Sequence, residues 1–407
     1  MKQIRHLLFI TILLTNLTIA QQWHSVGTQG FSAGKITYIS LAIDGSGTPY
    51  VAYQDGGHSN RGTVMKYSEG SWEPVGTQGF LSGQADYTSL AIDGSGTPYV
   101  AYQDGGHSSR ATVIKYDGNS WVPVGNPGFS DGIAKYTSLA IDGSGTPYVA
   151  YQDWGNNYRA TVKKYNGSSW ENVGTQGFSA GNVYYTSLAI DSSGTPYIAY
   201  RDAEVDYKAT VMKYDGSDWE KVGEAGFSDR KADYISLAIA NDGTPYVAYK
   251  DWKNYSKRAT VMKYNGNSWE PVGNPRFSDG EVNYTSLAIA NDGTPYVAYQ
   301  DAGHSNKAIV KKYNGNSWET VGNEGVSTES VSYTSLAITN DGTPCVAYRD
   351  SVNSNKATVM SFGTNPLPVE LTTFNAVINN KLKHIELNWQ TATEVNNYGF
   401  EVERIAQ

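Results

Sequence analysis

Cysteine is almost missing from this chain: Cys345 is alone among 407 residues. A single thiol cannot form an internal disulfide, so packing must hold the fold together. Cys345 stands where the other copies of a repeat described below carry Tyr50, Tyr99, Tyr148, Tyr197, Tyr246 and Tyr296, and it reads as a small buried hydrophobe. Charge is also scarce, at 17% of residues, and the formal net charge is -8. Lys and Arg are spread evenly with no basic stripe, which excludes a nucleic-acid footprint and an anionic membrane surface. Amphipathic helix signals are nearly absent. After residue 20 no apolar run is long enough to span a bilayer, which takes about 20 residues.

Gly, at 43 residues, and Tyr, at 31, are abundant, the composition of a turn-rich β protein. They are arranged in a repeat. The pattern Trp-x-x-Val-Gly recurs at Trp23, Trp72, Trp121, Trp170, Trp219, Trp269 and Trp318, in steps of 49 residues with one step of 50. Between successive copies come Tyr-(Thr/Ile)-Ser-Leu-Ala-Ile, a Gly-Thr-Pro turn, a Val-Ala-Tyr or Ile-Ala-Tyr run, an Asp and an Ala-Thr-Val run. Four short strands in a period of this size define a β-propeller blade. We name them A (Ser-Leu-Ala-Ile), B (Tyr-Val-Ala-Tyr), C (Ala-Thr-Val-Met-Lys-Tyr) and D (Trp-x-x-Val-Gly).

The phase of the repeat predicts how the ring closes. The chain starts with an orphan D strand at Trp23 and reaches strands A, B and C of a seventh blade at Ala357 to Phe362. The expected next Trp position is Leu367, inside Asn365-Pro366-Leu367-Pro368. Trp23 to Val26 should therefore complete the seventh blade and remove the sheet edge that an open array would expose. The fold class predicted is all-β: a seven-bladed β-propeller of four-stranded blades, closed by the N-terminal strand, with a partial β-sandwich-like C-terminal segment. The domain boundaries predicted are 1–20 for a signal peptide, 21–365 for the propeller and 366–407 for the partial segment. Lys2 and Arg5 before the apolar run Leu7 to Leu14, followed by Thr18-Ile19-Ala20, read as a cleaved export signal, the run being too short for a membrane span. A secreted or cell-surface bacterial protein is expected.

Alternating strand direction puts the A–B and C–D turns on one face and the longer B–C and D–A loops on the other. The long-loop face is the candidate working face. An Asp opens each B–C loop (Asp55, Asp104, Asp153, Asp202, Asp251, Asp301, Asp350) and a basic residue closes it, either as an ion pair or to hold the loop's amides. The loops also carry residues that break the symmetry: His58, His107 and His304, and Trp154 and Trp252. Aromatics of this kind can stack on a sugar face while Asp, His and Arg meet its hydroxyls. The candidate ligand residues are Trp154, Trp252, His58, His107, His304, Asp55, Asp104, Asp153, Asp251 and Asp301. Packing against neighbouring loops is the alternative for each. No catalytic residue, metal site or cofactor is expected, since single His residues on separate blades lie too far apart to share an ion.

An enzyme needs a singular, tuned site, and these blades are close to interchangeable. The one acidic group peculiar to a loop is Asp202, Glu204 and Asp206 in the fourth blade. In length and Trp placement the repeats resemble propeller lectins. Asp117 to Trp121 is similar to the Asp-box turn of sialidases but lacks its preceding Ser, so sialidase activity is not implied. Leu367-Pro368-Val369-Glu370-Leu371, Leu387-Asn388-Trp389-Gln390-Thr391-Ala392-Thr393-Glu394 and Asn397-Tyr398-Gly399-Phe400 resemble the module before the sorting domain of type IX-secreted bacterial surface proteins, a fibronectin-like sandwich of which the first strands are present. The function expected is multivalent glycan binding or adhesion by a monomeric ring. The alternatives are a polysaccharide-degrading lyase or glycosidase with one asymmetric site, and a protein-interaction scaffold.

Overall fold

The computed structural model describes residues 21–80, 83–253, 256–322, 325–363, 369–379 and 384–394. Seven sheets of four antiparallel strands make up a β-propeller. Blade 1 runs through A (Ile36–Ile43), B (Pro49–Asp55), C (Arg61–Ser68) and D (Ser71–Pro74), and the next five repeat this order. Gln22–Ser25 pairs with Lys356–Gly363 as strand D of blade 7, as the repeat phase predicts. A separate two-stranded sheet pairs Val369–Asn379 with His384–Glu394. The expected export signal lies outside the described residues, as does the segment that begins at Asn397. No helix among the described residues is long and apolar enough to cross a membrane.

Strand B is buried on nearly every residue, Val51, Ala52 and Tyr53 being 0–1% exposed, because it lies between two neighbouring blades. The repeated Trp staples blade to blade. Each indole NH donates to the carbonyl of the Val that ends the preceding Trp-x-x-Val, at 2.7 Å for Trp72 to Val26 and again for Trp23 to Val321 across the closure. The D–A loop Phe stacks on the Trp of the next blade, as Phe31 does on Trp72 at 4.3 Å and 11°. Those Phe side chains are therefore structural. Small Ser40 has a comparable role, since its hydroxyl accepts from Leu90 N at 3.0 Å, and Leu41 N donates to Ser335 Oγ across the closure. Cys345 is buried, and desolvation raises its thiol pKa.

Strand A is longer than the Ser-Leu-Ala-Ile core. It begins at Ile36, and its register with strand B shifts between Thr37 and Ser40. The bulge puts Tyr38 at φ 52°, and Tyr87, Tyr136, Tyr185, Tyr234, Tyr284 and Tyr333 repeat it at 52–55°. A left-handed backbone is uncommon for a bulky residue, yet here it turns every strand A tyrosine the same way.

Candidate functional site

Those seven tyrosines meet at the ring axis. Each ring packs against the next, from 4.8 Å between Tyr38 and Tyr87 to 5.6 Å between Tyr333 and Tyr38, closing a circle. Five are tied down by the following blade: Thr88, Thr137, Thr186, Thr285 and Thr334 donate their hydroxyls to the carbonyls of Tyr38, Tyr87, Tyr136, Tyr234 and Tyr284. The circle floors a shallow axial depression of about 240 Å³ at the strand A ends nearest the long loops. Burial is the main reason the phenol pKa values of Tyr38, Tyr87, Tyr136, Tyr185, Tyr234 and Tyr284 rise, to about 12 for Tyr38 and Tyr234. A folded-state pKa above the unfolded value of 10.0 stabilises the fold fully below pH 10, and that contribution is lost as pH rises through 12. We expect ultraviolet phenolate titration to show Tyr38 and Tyr234 ionising about two units later than free tyrosine, with stability falling from pH 10 upward. Ionisation of all tyrosines near pH 10 in the folded protein would refute the packed circle.

Around this circle, the residue before the last of strand B reaches toward the next blade in blades 1, 3, 4, 5 and 6. Gln54 donates to Ala85 O at 3.1 Å and to Asp86 Oδ1 at 2.6 Å. Blades 4, 5 and 7 carry Arg201, Lys250 and Arg349 at this position; Arg349 stays within its own blade on Ser332, whereas Arg201 and Lys250 reach acidic groups of the next blade. Arg201 pairs with Asp233 and lies over Tyr184 at 4.2 Å and over Tyr207 at 5.2 Å. Lys250 Nζ lies 2.6 Å from Glu281 Oε1. Trp252 sits between these groups: its indole NH donates to Asp233 Oδ2 at 2.7 Å, and Lys231 and Lys257 lie over its ring at 4.3 and 4.7 Å. Trp252 is half-buried in this cation–carboxylate cluster.

Trp154 is different. It is 37% exposed, with Lys135 over its ring at 4.6 Å and Tyr158 edge-on at 4.9 Å. Tyr158 and Tyr207 are 41% and 43% exposed. Both occupy the second of two consecutive left-handed residues that end the B–C loop, at φ 61° and 60°, where blades 1, 6 and 7 use Asn60, Asn306 and Asn355. Holding a tyrosine in that conformation presents its ring outward at some backbone cost.

The Asp residues that open the loops turn inward. Asp55 Oδ1 accepts from Gly57 N at 2.9 Å and Oδ2 from Thr63 Oγ1 at 3.1 Å, capping the short 3-10 turn Gly56–His58. Asp104, Asp153 and Asp251 repeat the arrangement with Gly106, Gly155 and Lys253. Of the two structural roles expected for these carboxylates, holding amides is the one formed; no ion pair to the closing base is formed among the described residues. His58 and His107 are drawn onto the same carboxylates, Nδ1 to Oδ2 at 2.8 and 2.7 Å. Asp202 caps its own turn through Glu204 N and Thr210, and desolvation raises its pKa, while Glu204 and Asp206 face solvent. The one loop-specific acidic group is thus split between a buried cap and two exposed side chains.

The opposite face also has a concavity. A groove of about 560 Å³ opens beside the short turns between blades 2 and 3, lined in part by Tyr99, Lys115, Asp142, Tyr148, Tyr165 and Glu171. Val122 stands where blades 3 to 6 place a Glu that pairs with the strand C Lys, at 3.4 Å for Lys164 and Glu171.

The described fold and its loop face define the class: a seven-bladed β-propeller with aromatic and charged B–C loops around an axial tyrosine circle. The structure is similar to that of an ulvan lyase of polysaccharide lyase family PL25, solved bound to -[GlcA(1-4)Rha3S]-, at 13% identity and a TM-score of 0.54 over 84% of this chain and 95% of that one. It is also similar to the polysaccharide lyase Uly1, at 12% identity and a TM-score of 0.51 over 84% and 91%. The Aleuria aurantia lectin, solved with Fucalpha1-6GlcNAc, aligns at 15% identity and a TM-score of 0.48 over 74% and 99%. No family model matches the chain, and no curated protein does.

Proposed function

We propose that this protein is an exported, multivalent, non-catalytic glycan-binding propeller whose B–C loop face is the binding surface. One observation carries the reading: among the described residues, every exposed large hydrophobic side chain, Trp154, Tyr158, Tyr207 and Val352, belongs to a B–C loop. Three are aromatic and sit on adjacent blades 3 and 4, beside Lys135 and Arg201, so an extended sugar chain would meet stacking faces and hydrogen-bond donors in succession. Weak contacts repeated over blades gain avidity on a polymer that presents many copies of its ligand. Export rests on Lys2, Arg5 and the apolar run after them, and surface delivery on the type IX-like wording of the C-terminal segment.

A screen of the full chain on a glycan array, followed by assay of any bound polysaccharide for new reducing ends, tests this. Binding without turnover is expected. Trp154→Ala should weaken it about tenfold, the effect of about 1.4 kcal/mol, without lowering Tm. If Tyr148→Ala abolishes binding and Trp154→Ala does not, the site lies in the short-turn groove instead.

A second reading, a polysaccharide-degrading enzyme, is favoured by the cluster of Arg201, Asp233, Lys250, Trp252 and Glu281, which no other blades reproduce. The likeness to the two polysaccharide lyases is one of fold. Cleavage of a bound polysaccharide that is lost in Asp233→Asn would establish that reading.

A further inference from the structure

We propose that blade 6 holds a site for a divalent transition-metal ion, formed by Asp279, Asp301 and His304 and created by the substitution of Ile309 for threonine. In six blades the second oxygen of the loop-opening Asp accepts from a strand C threonine, as Asp104 does from Thr112 at 2.9 Å and Asp350 from Thr358 at 2.9 Å. Blade 6 has Ile309 at that position, 1% exposed, and it offers no hydroxyl. Asp301 is 0% exposed, and its Oδ1 still accepts from Gly303 N at 2.8 Å. Its Oδ2 is buried without a hydrogen-bond donor among the described residues, and so is His304 Nδ1, 3.3 Å away. Leaving a buried carboxylate oxygen unmatched is costly, and a cation is one way to satisfy it.

The third ligand comes from the D–A loop. Asp279 Oδ2 lies 3.7 Å from His304 Nε2, and ligand atoms of the three residues all lie within 4.8 Å of one another. The approach is enforced by glycine: a Cβ at Gly280 would sit 2.1 Å from Gly303 N and 2.7 Å from Asp301 Oδ1, so any larger residue would push Asp279 away from the turn. Lys311 Nζ forms an ion pair with Asp279 Oδ2 at 3.9 Å, a longer contact than a metal–oxygen bond and one that a bound ion has to outcompete. Blades 3 and 5 share the loop Asp as Asp131 and Asp229, and blades 1 and 2 share the turn His. Only blade 6 combines both with the lost hydroxyl. One imidazole and two carboxylates, one of them solvent-facing, suit Zn²⁺ or Mn²⁺ with water completing the shell. The ligands come from a single blade, so the distance between His residues of different blades does not bear on this site.

The rival is a protonated His304 bridging two carboxylates without metal. Zn²⁺ titration calorimetry on the tag-free full chain separates the two. We expect one ion per chain, with affinity reduced about tenfold or more in His304→Ala and in Asp279→Ala, and unchanged in His58→Ala. Ile309→Thr is the most specific variant: it returns the hydroxyl that six blades already tolerate, keeps all three ligands, and should weaken Zn²⁺ binding in a fully folded protein. Absence of Zn²⁺ binding, or binding that His304→Ala, Asp279→Ala and Ile309→Thr leave unchanged, overturns the proposal.

Discussion

Deleting residues 21–26 should open the ring and destabilise the protein more than any single substitution. Those residues supply strand D of blade 7, and the closure they make is non-covalent, whereas every other D strand is tethered through its own hairpin. Trp23 donates to Val321 O at 2.7 Å and packs on Phe362 at 5.3 Å, and Val26 N donates to Val359 O at 2.9 Å. Removing them exposes the edge of Lys356–Gly363, a template for pairing with another chain. Thermal unfolding should lose cooperativity, and size-exclusion chromatography should show association. Trp23→Ala alone should cost about 2–4 kcal/mol, as for other large-to-small changes in packed sites. Trp121→Ala removes the matching bond to Val75 O from a covalently continuous blade, so it should cost stability without promoting association. A deletion variant that remains monomeric with the parent Tm would show that the ring closes some other way.

Asp104→Ala should be nearly as damaging, although the residue looks from sequence like a ligand-binding candidate. Asp104 is 1% exposed and accepts from Gly106 N, Thr112 Oγ1 and Tyr102 OH, with His107 Nδ1 2.7 Å from its second oxygen. Alanine leaves several buried donors without an acceptor at once, a cost of about 3 kcal/mol or more. Asp104→Asn keeps one carbonyl acceptor and should lose about half as much. Urea denaturation midpoints measure both. Equal midpoints for the Ala and Asn variants would contradict a capping role and return Asp104 to the ligand surface.

Several features of the site were within reach of the sequence. The strand C Thr of every repeat but the sixth was visible as Ala308-Ile309-Val310 against Ala-Thr-Val or Gly-Thr-Val, and the residue before the strand B Asp changed openly from Gln to Arg201, Lys250 and Arg349. Their meaning was not, because it depends on which blade each side chain reaches. Arg201 finds Asp233 and Lys250 finds Glu281 across a blade boundary, 32 and 31 residues away in the chain. The tyrosine circle was hidden for another reason. Tyr before Thr-Ser-Leu-Ala-Ile reads as a regular strand residue, and only the register shift reveals the left-handed bulge that turns it to the axis.

The repeat by itself determined the number of blades, the order of their strands and the closure by Trp23, because period, turn residues and the missing last Trp are one-dimensional facts. It also marked the B–C loops as the place where blades differ. Tertiary structure decided which of those differences face outward. Burial commits Asp55, Asp104, Asp153 and Asp251 to holding amides, and it leaves Trp154, Tyr158 and Tyr207 exposed. Sequence spacing cannot anticipate that division, because the partners of a polar side chain in a closed ring lie on the neighbouring blade and in the fold of its own loop.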